Sequence, residues 1–406
     1  MPFVIARSVS DEAIQPSFRG SGLLRFARND GKASFRVEFA RDWKQAAARW
    51  HDLGNATPFQ NGRWLEAWYS AFANTPGVEP LIAVISNAAT NEQAVLLPLI
   101  RRSQNGIRIV EPADLDLTDY NAPMLGAAAP RDASAARAMW KDLRAALRRG
   151  GADLIRLRKM PVEMDGRPNP LALLGGAGRC SLNGNIVFTG DDFDAWRFTL
   201  ERTVRKELER SWRVFTRDSA AAFRIVTDKE EALRMLSTME IQQGNRMQHL
   251  GLNFILNDET CAAFYRDLVH DNVANGYAVL SALTVGHEVV ATLLGIRQGS
   301  RYVMVRISNA GDKWSNCSPG RLIIERTMAV LHKDGIRQFD FSIGNYAYKR
   351  RFGVVHIPLA DFTAALSMRG VPYALRDRAA RWLRGYPEIA ERIKRMMGKP
   401  ASREEK

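Results

Sequence analysis

Alternation of apolar and polar positions begins at Ser34, where Phe35, Val37 and Phe39 interleave with Ser34, Arg36 and Glu38 and predict a strand. Residues 1–33 mix Ser, Gly, Arg and Asp without a sustained period and read as a loose leader. Helical periods then predict helices over 42–53 and 62–72. Strands follow over 81–86, 94–101 and 106–110, then a helix over 131–149 and a strand over 153–158. The same order returns further on. Helices are expected over 229–248 and 258–274, strands over 277–283, 288–297 and 302–308, a helix over 319–334 and a strand over 337–343. The layout therefore occurs twice, without a residue-level repeat. Arg202–Arg217, between the halves, is a basic helical pattern with Arg202, Lys206 and Arg210 on one face. The chain divides into the leader 1–33, a first domain 34–190, a second domain 191–368 and a basic tail 369–406, and its class is α/β.

The helix over 319–334 has a marked start. Ser318 suits an N-cap, Pro319 the first helical position, and Gly320 lets another molecule approach the backbone. Ser318 satisfies about one first-turn N–H group, and the others, with the positive dipole end, suit a phosphate or pyrophosphate. Gly335 is the expected C-terminal cap. In the strand beyond it Phe339, Phe341 and Ile343 share one face, and Gln338, Asp340 and Ser342 the other. Tyr348-Lys349 closes the segment.

Composition narrows the classes. The length of 406 residues allows two ordinary domains, and 46% hydrophobic with 25% charged residues is normal for a soluble globular protein. A formal charge of +14 fits nucleic acid, an anionic membrane surface, an anionic small ligand or simply a solvated basic surface. No zinc-finger spacing, basic zipper or RNA-recognition signature is present, so no DNA partner is expected. Cys180, Cys261 and Cys317 are far apart, which argues against disulfides and structural zinc and fits a reducing, cytoplasmic setting. No apolar run is long enough to span a bilayer. The stretch 371–397 is amphipathic and Arg-rich, with Pro387 set to break it. It either lies on an anionic membrane as a peripheral contact or packs on the second domain with its arginines in water, the commoner arrangement.

Several features together resemble a known family. They are Gly276-Tyr277, the strand pair 278–283 and 289–296 across Val285-Gly286-His287-Glu288, Ser318-Pro319-Gly320, Asp340-Phe341, Gly344 and Tyr348-Lys349. The first half adds Pro58-Phe59-Gln60 with Trp64, Leu97-Pro98-Leu99, and Asp119-Tyr120 with Pro123. Together these resemble the GNAT-type acyltransferases, more narrowly the CelD-like acetyltransferases associated with cellulose biosynthesis, and their Fem-type aminoacyltransferase relatives. The resemblance covers about residues 40–366.

It implies two tandem GNAT-like domains, each a mixed, mostly antiparallel sheet flanked by helices, with acetyl-CoA or another acyl-CoA as substrate and no metal. The pyrophosphate is then expected on Asn316–Leu322, so Ser318, Gly320, Arg321 and Leu322 become cofactor-binding candidates, with Lys349 as a point charge for a phosphate. The loop has one glycine where the usual GNAT loop has several. The first-half counterpart, Ala129-Pro130-Arg131-Asp132, places an acid at its helix start, which makes the first half a scaffold or acceptor-side domain. Catalytic candidates are Asp340, Tyr348 and Asp119. Asp340 either positions the acceptor and takes a proton or is a structural acid. Tyr348 either protonates the departing thiolate or packs in a turn. Asp119 and Tyr120 either face an interdomain cleft or form a turn.

The activity implied is N- or O-acyl transfer, as acetylation, to a small-molecule or glycan acceptor in envelope or exopolysaccharide metabolism. Two alternatives stand beside it: Fem-like aminoacyl transfer from charged tRNA, and a non-catalytic GNAT-fold scaffold.

Overall fold

The computed structural model describes residues 34–50, 56–344 and 346–384. The leader and Pro387 lie outside them. The first half contains β1 (Phe35–Ala40), α1 (Trp43–Ala48), α2 (Gly62–Phe72), β2 (Val78–Pro80), β3 (Ile82–Asn87), β4 (Gln93–Leu97), β5 (Leu99–Gln104), β6 (Ile107–Pro112), β7 (Met124–Leu125), α3 (Ala133–Arg149) and β8 (Leu154–Pro161). A small hairpin, β9 (Glu163–Met164) with β10 (Arg167–Pro168), leads to β11 (Ala177–Phe188), α4 (Phe193–Thr199) and α5 (Arg202–Phe215). The second half contains β12 (Ala221–Val226), α6 (Lys229–His249), α7 (Glu259–Asn272), β13 (Ala278–Val285), β14 (Glu288–Gln298), β15 (Arg301–Asn309), α8 (Pro319–Lys333), β16 (Gln338–Asp340), α9 (Ala347–Arg350), β17 (Val355–Ala365) and α10 (Val371–Arg384).

This is an α/β protein built on a large mixed sheet flanked by helices. Eleven strands run in the order β12-β13-β14-β15-β16-β11-β17-β8-β6-β5-β2, beside a four-stranded sheet β1-β3-β4-β7. The single strand expected over 94–101 is divided at Pro98, which cannot donate to a ladder, so β4 and β5 serve different sheets. Two long strands join the halves. β11 pairs with β16 on one side and β17 on the other, and β17 also pairs with β8.

In each half two parallel strands meet briefly and then lose contact. β15 and β16 pair only from Arg301–Val303 to Gln338–Asp340. β6 and β8 pair only from Ile109-Val110 to Leu154-Ile155. Among the described residues, the edge of β15 beyond Val303 has no paired strand on that side. One continuous core crosses between halves, where Trp64 and Phe72 of α2 meet Phe264 of α7 at 5.1 and 5.8 Å between ring centres. Trp64 and Trp68 are fully buried. These apolar faces leave water together and hold the two halves in register.

The C-terminal segment packs on β17 of the second domain, as expected, and also reaches the first half. α10 contacts β11 and β8 as well, and Ala374 joins Ile107, Ile109 and Leu154. Its side chains explain this, because Asp377 accepts a hydrogen bond from Arg156 Nε at 2.7 Å, and both partners are largely buried. The expected strand 337–343 ends at Asp340, since Ser342 takes a left-handed backbone (φ +63°) that turns the chain out of the ladder.

Candidate functional site

At the start of α8 the cap position is as expected but the capping contact is not. Ser318 has φ +46°, and its side chain makes no cap. The left-handed backbone instead points its carbonyl at the helix, where it accepts from Arg321 N at 3.0 Å and Leu322 N at 3.1 Å. The hydroxyl Oγ accepts from Arg321 Nη2 at 3.0 Å. Pro319 has no N–H, so Gly320 carries the first-turn donor with no protein acceptor among the described residues. A side chain at Gly320 would touch only Asn309 Nδ2, at 3.7 Å, so the backbone is open there. Leu322 is fully buried in the core under the sheet, and only its backbone is near this turn.

Two guanidinium groups converge beside the turn. Arg321 Nη1 lies 2.7 Å and Arg351 Nη2 2.9 Å from Glu207 Oε2, with Glu207 on α5. The two arginines hold the Glu207 carboxyl below the usual carboxylate range, Arg351 first. The first-half counterpart is closed. Asp132 caps α3 itself, accepting from Ser134 N at 2.8 Å and Ala135 N at 3.0 Å.

The other candidates gather where the strands β15 and β16 diverge and the first half approaches. Asp340 is fully buried and its oxygens are committed. Oδ1 accepts from Tyr120 Oη at 2.8 Å and Ser342 N at 2.7 Å, and Oδ2 is ion-paired with Arg301, whose guanidinium also lies over the Tyr120 ring. Ser342 Oγ in turn donates to Asp119 Oδ2. Asp119 and Tyr120 therefore touch second-half residues directly.

Lys349 does not point at solvent. It is 3% exposed, and its Nζ donates to the carbonyls of Ser342 and Ile343. Burial lowers its pKa to about 8, against the opposing pull of Asp119 and Asp340. Burial also raises the Asp119 carboxyl, partly offset by the Ser342 hydroxyl and by Lys159 and Lys349. Tyr348 is half-buried with its ring stacked near Tyr346 at 6.1 Å, and desolvation pushes its phenol up to about 12. Sequence reasoning did not single out Arg301, Ser342 as a hydroxyl donor, or Glu207. Ser342 lay between two named residues, while Arg301 and Glu207 become neighbours only through strand pairing and helix packing.

A cavity of about 500 Å³ opens on the first-half side. Asp119 lines it, together with Arg156 and Lys159 from β8, Asp361 from β17 and Arg381 and Arg384 from α10. Its walls are mainly charged. Tyr120 and Asp340 do not line it.

Residues 202–350 match the acetyltransferase (GNAT) domain family. That match lies within the second half of the chain, which is therefore similar to the GNAT acetyltransferase domain over those residues. A likeness to the crystal structure of FemX covers 84% of this chain and 99% of that one, with a TM-score of 0.57 at 11% identity. A conserved protein of unknown function from Bacteroides thetaiotaomicron VPI-5482 is similar over 82% of this chain and 100% of its own, with a TM-score of 0.53 at 12% identity. No curated protein matches the sequence. Among the described residues no helix is long and apolar enough to cross a membrane, and no group of three or more His, Cys, Asp or Glu could hold a metal ion.

Proposed function

We propose that this protein is an acyltransferase using acetyl-CoA or another acyl-CoA, with one cofactor site, in residues 191–368. The observation that carries this reading is the contrast between two equivalent helix starts. At α3 the amides are taken by Asp132, whereas at α8 Gly320 offers a free N–H in open space beside Arg321 and Arg351. These groups fit a pyrophosphate, which would displace Glu207 from the arginines.

Residues 34–190 then serve the acceptor, which enters through the charged cavity toward Asp119. The thioester supplies the activated acyl group. The acceptor amine or hydroxyl attacks the thioester carbonyl, and Asp119, its carboxyl raised by burial, takes the proton. The C–S bond breaks and CoA leaves as the thiolate. Lys349 supplies positive charge next to the reacting centre, and the open edge of β15 supplies backbone donors. Asp340 is a positioning residue. Through Tyr120, Ser342 N and Arg301 it fixes the first half against the second and sets the Ser342 hydroxyl on Asp119.

Calorimetric titration with CoA and acetyl-CoA tests the cofactor site. Wild type binds, and Gly320→Asp, which puts a carboxylate beside the free amide, weakens binding by about tenfold to a hundredfold. Absence of binding by wild type at millimolar ligand sinks the reading, and unchanged binding by Gly320→Asp moves the site elsewhere. Salt-dependent binding of charged tRNA without CoA binding would instead favour aminoacyl transfer.

A further inference from the structure

α10 shows an unusual distribution of side chains. Its charged side, with Asp377 and Arg381, faces the protein and the cavity. Apolar residues are exposed on the outside, among the exposed Arg376, Arg378 and Arg384. Met368, just before the helix, is 85% exposed and Leu375 is 60% exposed. Pro372 and Ala379 are exposed between and after them. Positions 372, 375 and 379 of α10 follow the spacing that keeps residues on one helix face, and Met368 stands in the 3-10 turn just before them. A helix folded only for its own stability would turn that stripe inward.

A second observation lies beside the stripe. α3 presents Arg137, Lys141, Arg144 and Arg148 on one exposed face at four- and three-residue spacing. Between α3 and α10 runs a groove of about 440 Å³, floored by Trp140, Leu174 and Phe362. Every ionisable residue that lines it is an arginine: Arg137, Arg144 and Arg378. Among the described residues none of these three, nor Lys141 or Arg148, forms an ion pair. The acid on the same helix, Asp142, is turned to the backbone N–H of Phe35 at 2.9 Å. An apolar ridge, an apolar-floored groove and a row of unpaired cations thus form one continuous surface.

We propose that this surface docks on an anionic lipid bilayer. The ridge of α10 enters the interfacial layer, and the arginines of the groove and of α3 meet lipid phosphates. Nucleic acid would use the cations but has no use for the ridge, and a neutral apolar partner would leave the cations unpaired. The formal charge of +14 adds attraction at longer range. Because α10 also walls the charged cavity, docking would set the mouth of that cavity beside the bilayer.

The test is flotation of the full chain with vesicles of phosphatidylcholine, alone or with about 30% phosphatidylglycerol. Wild type floats with the anionic vesicles and stays behind with the neutral ones. Met368→Glu/Leu375→Glu and Arg137→Glu/Arg144→Glu each weaken binding by about tenfold or more, with unchanged circular dichroism, since all four positions are exposed. Inorganic phosphate competes no better than chloride at equal ionic strength. The proposal is overturned if wild type ignores anionic vesicles, or if both double variants bind like wild type. It also fails if phosphate displaces the vesicles selectively, which would mark a soluble-phosphate site. Loss of binding on removing 385–406 while the double variants still bind would assign the contact to the tail and overturn it as well.

Discussion

Lys349 shows how far one side chain departs from its sequence reading. A lysine followed by two arginines reads as a cationic turn available to a phosphate, yet the fold buries it against two carbonyls and lowers its pKa from 10.5 to about 8. The effect on stability has a definite sign. Between about pH 8 and 10.5 the unfolded chain holds a proton on Lys349 that the folded chain has lost, so stability rises with pH across that window. Below it the cost of the buried ammonium is fully present. Chemical denaturation of wild type and Lys349→Met should therefore show wild type gaining on the variant by roughly 2–3 kcal/mol from pH 8 to 10.5. A flat difference would mean that Lys349 keeps an ordinary pKa. Asp119 carries the complementary prediction for activity. Asp119→Asn can still accept the Ser342 hydroxyl but cannot take a proton, so turnover should fall by about 10²–10⁴ while CoA affinity holds. Loss of CoA binding in that variant would place Asp119 in the cofactor site instead. Asp119, Asp340, Gly320 and Lys349 were visible in the sequence because each lies in a short marked segment. Their partner Arg301 was not, because a salt bridge across 39 residues leaves no local sign.

At the scale of elements, the repeated helices and the three-strand runs were legible because their periods are strong. The strands that join the halves were not. β11 contains Gly178 and Gly184 with several polar residues, and β17 contains Pro358, His356 and Asp361, so neither shows clean alternation. The reason is their position. Cys180, Ser181, Asp361 and Thr363 face the charged cavity, where an apolar face would be out of place. Gly184 illustrates the same constraint. A methyl group there would stand 2.5 Å from Tyr120 Oη and 2.9 Å from Cε1, so only glycine lets the tyrosine reach Asp340. Gly184→Ala should cost about 1–3 kcal/mol by overpacking, more than the roughly 1 kcal/mol of Tyr120→Phe, which leaves Asp340 its other two donors. Urea unfolding of the two variants decides this. If Tyr120→Phe proves the more damaging, the phenol bond matters more than the close approach.

At the scale of the whole molecule, the arrangement of the halves bears on the kind of chemistry. In the proposed arrangement the cavity leads the acceptor to Asp119, and the α8 turn holds the cofactor. Two reactants brought together in this way can react directly, and proximity supplies much of the rate. A covalent route needs a nucleophile, and the cysteines are poorly suited to it. Cys317 is fully buried, donates to Trp314 O at 3.2 Å and has its thiol raised by burial, while burial pushes Cys261 up to about 11. Ser342 donates to Asp119, so an intact-mass measurement has to cover this hydroxyl as well as the cysteines. The protein incubated with acetyl-CoA alone should therefore keep its unmodified intact mass, whereas an acyl-enzyme mechanism would accumulate the adduct in the absence of acceptor. Rapid quenching followed by intact-mass measurement distinguishes the two without knowledge of the acceptor. An adduct mapped to Ser342, Lys349 or Cys317 would replace direct transfer by a two-step route through that residue.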